Sequence, residues 1–145
     1  MKKQDFKNHV QYYPPHHFIF YPLLLILISI CIWFAYKYPH QSLIWPAFAV
    51  VLFLIGGLSF MLRQHYALTN QNRIVRLEMR LRYYQLSHEK FETIESQLSF
   101  PQIAALRFAS NQELLLLIEK TIKENLSPDA IKKSIIDWLP DNMRV

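Results

Sequence analysis

The stretch Phe18-Ile-Phe-Tyr-Pro-Leu-Leu-Leu-Ile-Leu-Ile-Ser-Ile-Cys-Ile-Trp-Phe-Ala-Tyr36 carries no charged residue, and a second uncharged run follows it from Leu43 to Leu62. Each is about twenty residues, the length a helix needs to cross roughly 30 Å of hydrocarbon. In lipid only internal hydrogen bonds satisfy the backbone, so a helix is expected despite the many β-branched and aromatic side chains. Only Tyr38-Pro-His-Gln-Ser42 and Lys37 separate the two runs. The expected arrangement is therefore a transmembrane hairpin over 18–62, with spans at about 18–38 and 43–62. A cleaved signal peptide is not expected, because no small-x-small site follows the first run and a second span comes directly after it.

Working outward, the chain is 52% hydrophobic, yet its mean hydropathy is only +0.06. Averaging conceals two very apolar blocks in an otherwise polar protein. The net charge of +5 is unevenly spread. Lys2, Lys3 and Lys7 precede the first run, and Arg63, Arg73, Arg76, Arg80 and Arg82 follow the second, while the turn itself has no Lys or Arg beyond Lys37. The positive-inside rule then puts both termini in the cytoplasm. Phe18, Phe20, Tyr21 and Tyr66 are expected at the inner interface, and Trp33, Phe34, Tyr36, Tyr38 and Trp45 at the outer one. Basic residues against anionic lipid account for the charge, at about 1 kcal/mol each.

Residues 1–17 form a polar and aromatic cytoplasmic segment whose Pro14-Pro15 pair keeps the first helix from starting earlier. Ser42 is a candidate cap for the second helix. Gly56 and Gly57 lie in the inner half of the second span, where glycine lets helices approach closely, although the spacing is not GxxxG. Neither span carries an acid or base at its middle, which argues against a channel or transporter acting alone. No Gly or Pro falls between Arg63 and Leu86, so the second helix is expected to run on as an extension over 63–86. From Leu43 to Leu86 it would be roughly 65 Å long. Along it Ala67, Asn70, Ile74, Leu77, Leu81 and Tyr84 alternate three and four apart, a heptad-like association seam.

Residues 87–145 read as a cytoplasmic domain of short helices. Ser87 is a candidate N-cap, with Phe91, Ile94 and Leu98 at helical spacing after it. Ser99-Phe-Pro-Gln102 is a capping box opening a helix over 102–109, and Ser110-Asn-Gln-Glu113 a second one opening a helix over 114–125. Ser127-Pro128 opens the last helix, with Ile131, Ile135, Trp138 and Leu139 on one face and Pro140 as its stop. The fold class is thus all-α: a two-helix transmembrane hairpin, a second helix extended into the cytoplasm, and a small bundle. At 59 residues that bundle is near the size at which a lone core is marginal, so it is expected to lean on the long helix, the membrane or a second chain.

The opening Asn8-His-x-x-Tyr12-x-Pro-Pro-His-His17, the segments Arg80-Leu-Arg-Tyr-Tyr84 and Gln102-Ile-Ala-Ala-Leu-Arg-Phe-Ala-Ser110, and Ile131-Lys-Lys-Ser-Ile-Ile-Asp-Trp138 with its terminal Met143-Arg-Val together resemble a family of small bacterial two-span membrane proteins classed as a domain of unknown function. The resemblance covers nearly the whole chain. It implies a bacterial inner-membrane protein and brings no activity and no catalytic residues.

The residues supply little chemistry. Cys31 lies alone in the first span, so there is no disulfide framework and no zinc-type spacing. Two glycines cannot build a P-loop or a dinucleotide fingerprint, and no Ser or Cys has a placed base. No catalytic or metal residue and no cofactor is expected. His9, His16 and His17 before the first span and His65 after the second would meet at one membrane face, where imidazoles can hold a metal or haem iron. Hydrogen bonding to headgroups or backbone is the more ordinary use. The arginines, with Lys2, Lys3 and Lys7, are candidates for lipid or partner contact; nucleic acid is not an expected partner. The reading that follows is a non-catalytic membrane accessory or scaffold protein, self-associating or docked to other membrane subunits. The alternative is a haem- or metal-binding redox subunit.

Overall fold

The computed structural model describes residues 5–7, 14–41 and 43–141. Among them, residues 14–69 form one compact unit, and residues 70–141 with 5–7 form another. The described residues are helical, with no strand beyond a single isolated bridge.

The first unit is the helical hairpin. A π-helical turn, Pro15–Phe20, leads into α1, Tyr21–Lys37. The helix thus begins at the proline pair, where missing N–H groups are tolerated. Pro39–Gln41 makes a 3₁₀ turn, and α2 runs Ile44–Met61. The expected cap at Ser42 lies outside the described residues. At Gly56 of α2 the neighbouring α1 leaves no room for a side chain. A Cβ there would sit 2.6 Å from Leu24 Cδ2, whereas one on Gly57 would meet nothing. At the turn, Phe34 stacks on Trp45 with centroids 4.5 Å apart, and the Trp45 indole N–H donates to Gln41 Oε1 at 2.9 Å. Cys31 is the sole buried residue of α1, and α2 has none.

A π-helical segment, Leu62–Ala67, joins α2 to α3, Leu68–Ser87. The helical run is unbroken from Ile44 to Ser87, as the lack of breakers implies. It ends one residue beyond the expected extension: Ser87 closes α3 rather than capping the next helix, and His88 turns the chain in the left-handed region at φ 58°. The Ser87 hydroxyl still accepts from the Glu89 N–H at 3.1 Å.

The second unit gathers four short helices on α3: α4, Glu92–Glu95; α5, Phe100–Leu106; α6, Leu114–Glu124; and α7, Pro128–Ser134. Val75 and Met79 of α3 meet Phe91, Ile103, Phe108, Leu114, Ile118 and Ile131 in one core. The capping box at Ser99 is present, with the Ser99 N–H donating to Gln102 Oε1 at 2.8 Å. Gln102 is itself buried, and its amide donates to the Leu126 carbonyl at 2.8 Å. The box at Ser110 is only half formed. Glu113 Oε1 accepts from the Ser110 N–H at 3.3 Å, but the N-cap residue is Glu113. Asn125 ends α6 in the left-handed region, a conformation asparagine tolerates. Ser127 caps α7 by accepting from Ala130 N–H at 3.2 Å.

The last helix departs from expectation. It stops at Ser134, and Ile135 is extended. Ser110 N–H donates to Asp137 O at 3.1 Å and Leu139 N–H to Phe108 O at 2.8 Å, around an antiparallel bridge of Ala109 with Trp138. Glu113 also accepts from the Ile136 and Asp137 N–H groups. These partners satisfy the backbone without a helix. They let Ile135 and Trp138 stay buried while Ile136 and Leu139 face out. Phe6 of the N-terminal segment also packs on this core, with the Lys133 ammonium 5.3 Å from its ring centroid.

Candidate association surface on the long helix

Two faces of α3 behave differently. Val75, Met79, Tyr83 and Leu86 point into the helical unit. Ile74, Leu77, Leu81 and Tyr84 lie about 175° round the helix from that face at 3.6 residues per turn, and they are 54%, 61%, 59% and 53% exposed. Ala67 and Asn70 are exposed as well. The seam read from the sequence therefore does not pack on the protein's own helical domain. Ala67 falls in the π-helical segment, where the wider turn breaks the phase of the repeat, so the regular part of the seam runs from Asn70 to Tyr84.

The arginines sort into two groups. Arg76 and Arg80 both bond Glu95, Arg80 at 2.7 Å, and Arg80 also reaches Glu92 Oε1 at 3.5 Å. Glu95 is buried. Burial acts to raise its pKa, but hydrogen bonds and charge from Arg76 and Arg80 outweigh this and hold the carboxyl below its ordinary range. Arg82 donates to the carbonyls of Arg107, at 2.9 Å, and Ala109, and to Asn111 Oδ1 at 2.8 Å. It ties the turn after α5 to α3, and burial lowers its pKa. Arg73 is exposed and makes no such contact with any described residue. Three of the four arginines thus direct their donors inward, which leaves few of them for phosphate or lipid.

Glu95 was not singled out in the sequence, although a signal was there. Phe91, Ile94, Glu95 and Leu98 follow i, i+3, i+4, i+7, which puts a carboxylate on an apolar face.

Of the basic flank residues, Lys2, Lys3 and His9 lie outside the described residues. Lys7 is exposed, its N–H bonded to Asp5 at 2.8 Å. His16 Nε2 bonds Ser59 Oγ at 3.0 Å, and Arg63 bonds His17 Nε2 at 2.8 Å. Because a guanidinium only donates, His17 accepts there through Nε2. Both contacts join the two ends of the hairpin across more than forty residues of sequence. His65 is exposed. Among the described residues no three His, Cys, Asp or Glu side chains gather as a metal would need.

A family model matches residues 1–145, the entire length. The chain belongs to DUF6526, a family of unknown function. No curated protein and no solved structure matches it. Membership of DUF6526 therefore assigns no site.

Proposed function

We propose that this DUF6526 chain is a non-catalytic scaffold protein of the bacterial inner membrane, anchored by its hairpin, with both termini and the helical unit in the cytoplasm. It self-associates through α3 and so presents its helical unit in more than one copy to a larger membrane complex. The observation that carries the reading is the exposed row Ile74, Leu77, Leu81 and Tyr84 on a helix whose other face is already packed. A contiguous apolar row rimmed by polar residues marks an interaction site.

The membrane assignment is supported by the two long apolar helices, Pro15–Lys37 and Ile44–Ser87, whose most apolar windows are 11% and 0% buried. A core helix of a water-soluble protein would be covered by its own chain; these two windows are apolar all round and bare. A common side for the N-terminal segment and the helical unit is supported by Phe6, which packs on that unit's core and requires an even number of crossings between them. Impermeant thiol labelling in intact cells, in a Cys31→Ser background, should modify Gln41→Cys and leave Lys90→Cys untouched; the reverse pattern refutes the topology.

Self-association is tested with Leu77→Asp/Leu81→Asp in the full chain. The double variant should lower the sedimenting mass in detergent while far-ultraviolet circular dichroism stays unchanged, because both positions are exposed within one chain. Unchanged mass would remove the scaffold reading.

A further inference from the structure

We propose that α3 pairs in parallel and in register with α3 of a second copy, Arg73 of each chain meeting Glu78 of the other. The inference rests on the self-association reading and specifies its geometry. In the regular part of the seam, Ile74 and Leu81 occupy a positions and Leu77 and Tyr84 occupy d positions, with Asn70 one heptad before Leu77. A β-branched a position with leucine at d, the pair Ile74 and Leu77 make, suits a two-stranded coiled coil.

The flanks decide the direction. Arg73 and Arg80 fall at g, and Glu78 and Gln85 at e, on opposite sides of the seam. In a parallel pair each g residue faces the e residue five positions on in its partner. That sets Arg73 against Glu78 twice by symmetry, and Arg80 against Gln85. In an antiparallel pair g faces g, which sets arginine against arginine, and e faces e, which sets glutamate near glutamine. Only the parallel arrangement brings opposite charges together. Both residues are also available for it. Arg73 and Glu78 are exposed and have no ion pair with a described residue of their own chain, whereas Arg76 and Arg80 are held by Glu95. The seam is only about two heptads, short for pairing in dilute solution. Confinement to one bilayer raises the effective concentration of the second copy.

The test uses the full chain with Cys31→Ser, in phosphatidylethanolamine–phosphatidylglycerol liposomes held in a glutathione redox buffer. Leu77→Cys and Tyr84→Cys should each form a self-linked dimer, and Asn72→Cys, on the far side of α3, should not. In the Leu77→Cys background, Arg73→Glu and Glu78→Arg should each lower the linked fraction about tenfold by juxtaposing like charges at two symmetric sites. The double reversal Arg73→Glu/Glu78→Arg should restore it. Linking at Leu77→Cys without linking at Tyr84→Cys, or linking that ignores both charge reversals, overturns the parallel register and leaves self-association standing. No linking at either seam position overturns both.

Discussion

The hairpin and the helical unit use the same kinds of side chain in opposite ways. Phe53 of α2 is 70% exposed, and Phe108, after α5, is 2% exposed against Trp138, with centroids 5.1 Å apart. The helical unit closes round its large apolar residues, as water demands. The hairpin leaves them outside, as an apolar solvent would permit. Helix α3 shows both behaviours at once: Met79 is fully buried on one face while Leu77, two residues away, is 61% exposed on another. An apolar side chain therefore does not report its own environment, and periodicity alone cannot distinguish a face that meets the chain's own core from one the chain leaves bare.

The sharpest break of this comparison is Phe108→Ala against Phe53→Ala. In the helical unit the truncation removes a buried ring and should cost about 3–5 kcal/mol. In the hairpin the same truncation should leave the unfolding of the helical unit unchanged. Denaturant unfolding of the full chain in micelles, followed by tryptophan fluorescence and circular dichroism, reads both variants. Equal effects would mean that Phe53 is covered within the chain.

A smaller effect is expected at Glu95. Glu95→Gln leaves Arg76 and Arg80 without their carboxylate, at a cost of about 1–3 kcal/mol. This is less than for a fully buried pair because both arginines are 38% exposed. The pH dependence has a definite sign. The carboxyl is held below its ordinary range, so its contribution is complete above the unfolded value, about 4.3. It is lost as the pH falls from there through the folded value. Acid titration of stability should show this loss in the parent chain and a shallower slope in Glu95→Gln. Parallel titration curves would show that the pair does not contribute.

The smallest contrast separates two serines that look alike in sequence. Ser127→Ala removes the hydroxyl that accepts from Ala130 N–H and should cost about 1 kcal/mol. Ser110→Ala should cost only a few tenths of that, because Ser110 serves α6 through its backbone, with Glu113 as the N-cap. Thermal melts of the two variants decide it. A larger shift for Ser110→Ala would mean that its hydroxyl caps the helix after all.

Much of the fold was legible because the signals were local. Two charge-free runs of sufficient length, the absence of any breaker between Arg63 and Leu86, and the Ser99 box each act within a few residues, where propensity and capping decide. The 3–4 alternation likewise placed Asn70 to Tyr84 on one face. Tertiary structure decided what lay beyond that range. The end of α7 at Ser134 depends on backbone groups of Phe108 and Ser110 and on the Glu113 carboxylate, more than twenty residues away. The inward turn of Arg76, Arg80 and Arg82 depends on Glu95 and on the carbonyls of Arg107 and Ala109. Whether the α3 seam is covered or bare depends on which face the short helices chose. Sequence periodicity determines which residues share a face, but burial is a property of what arrives from elsewhere in the chain, and only the packed structure contains that.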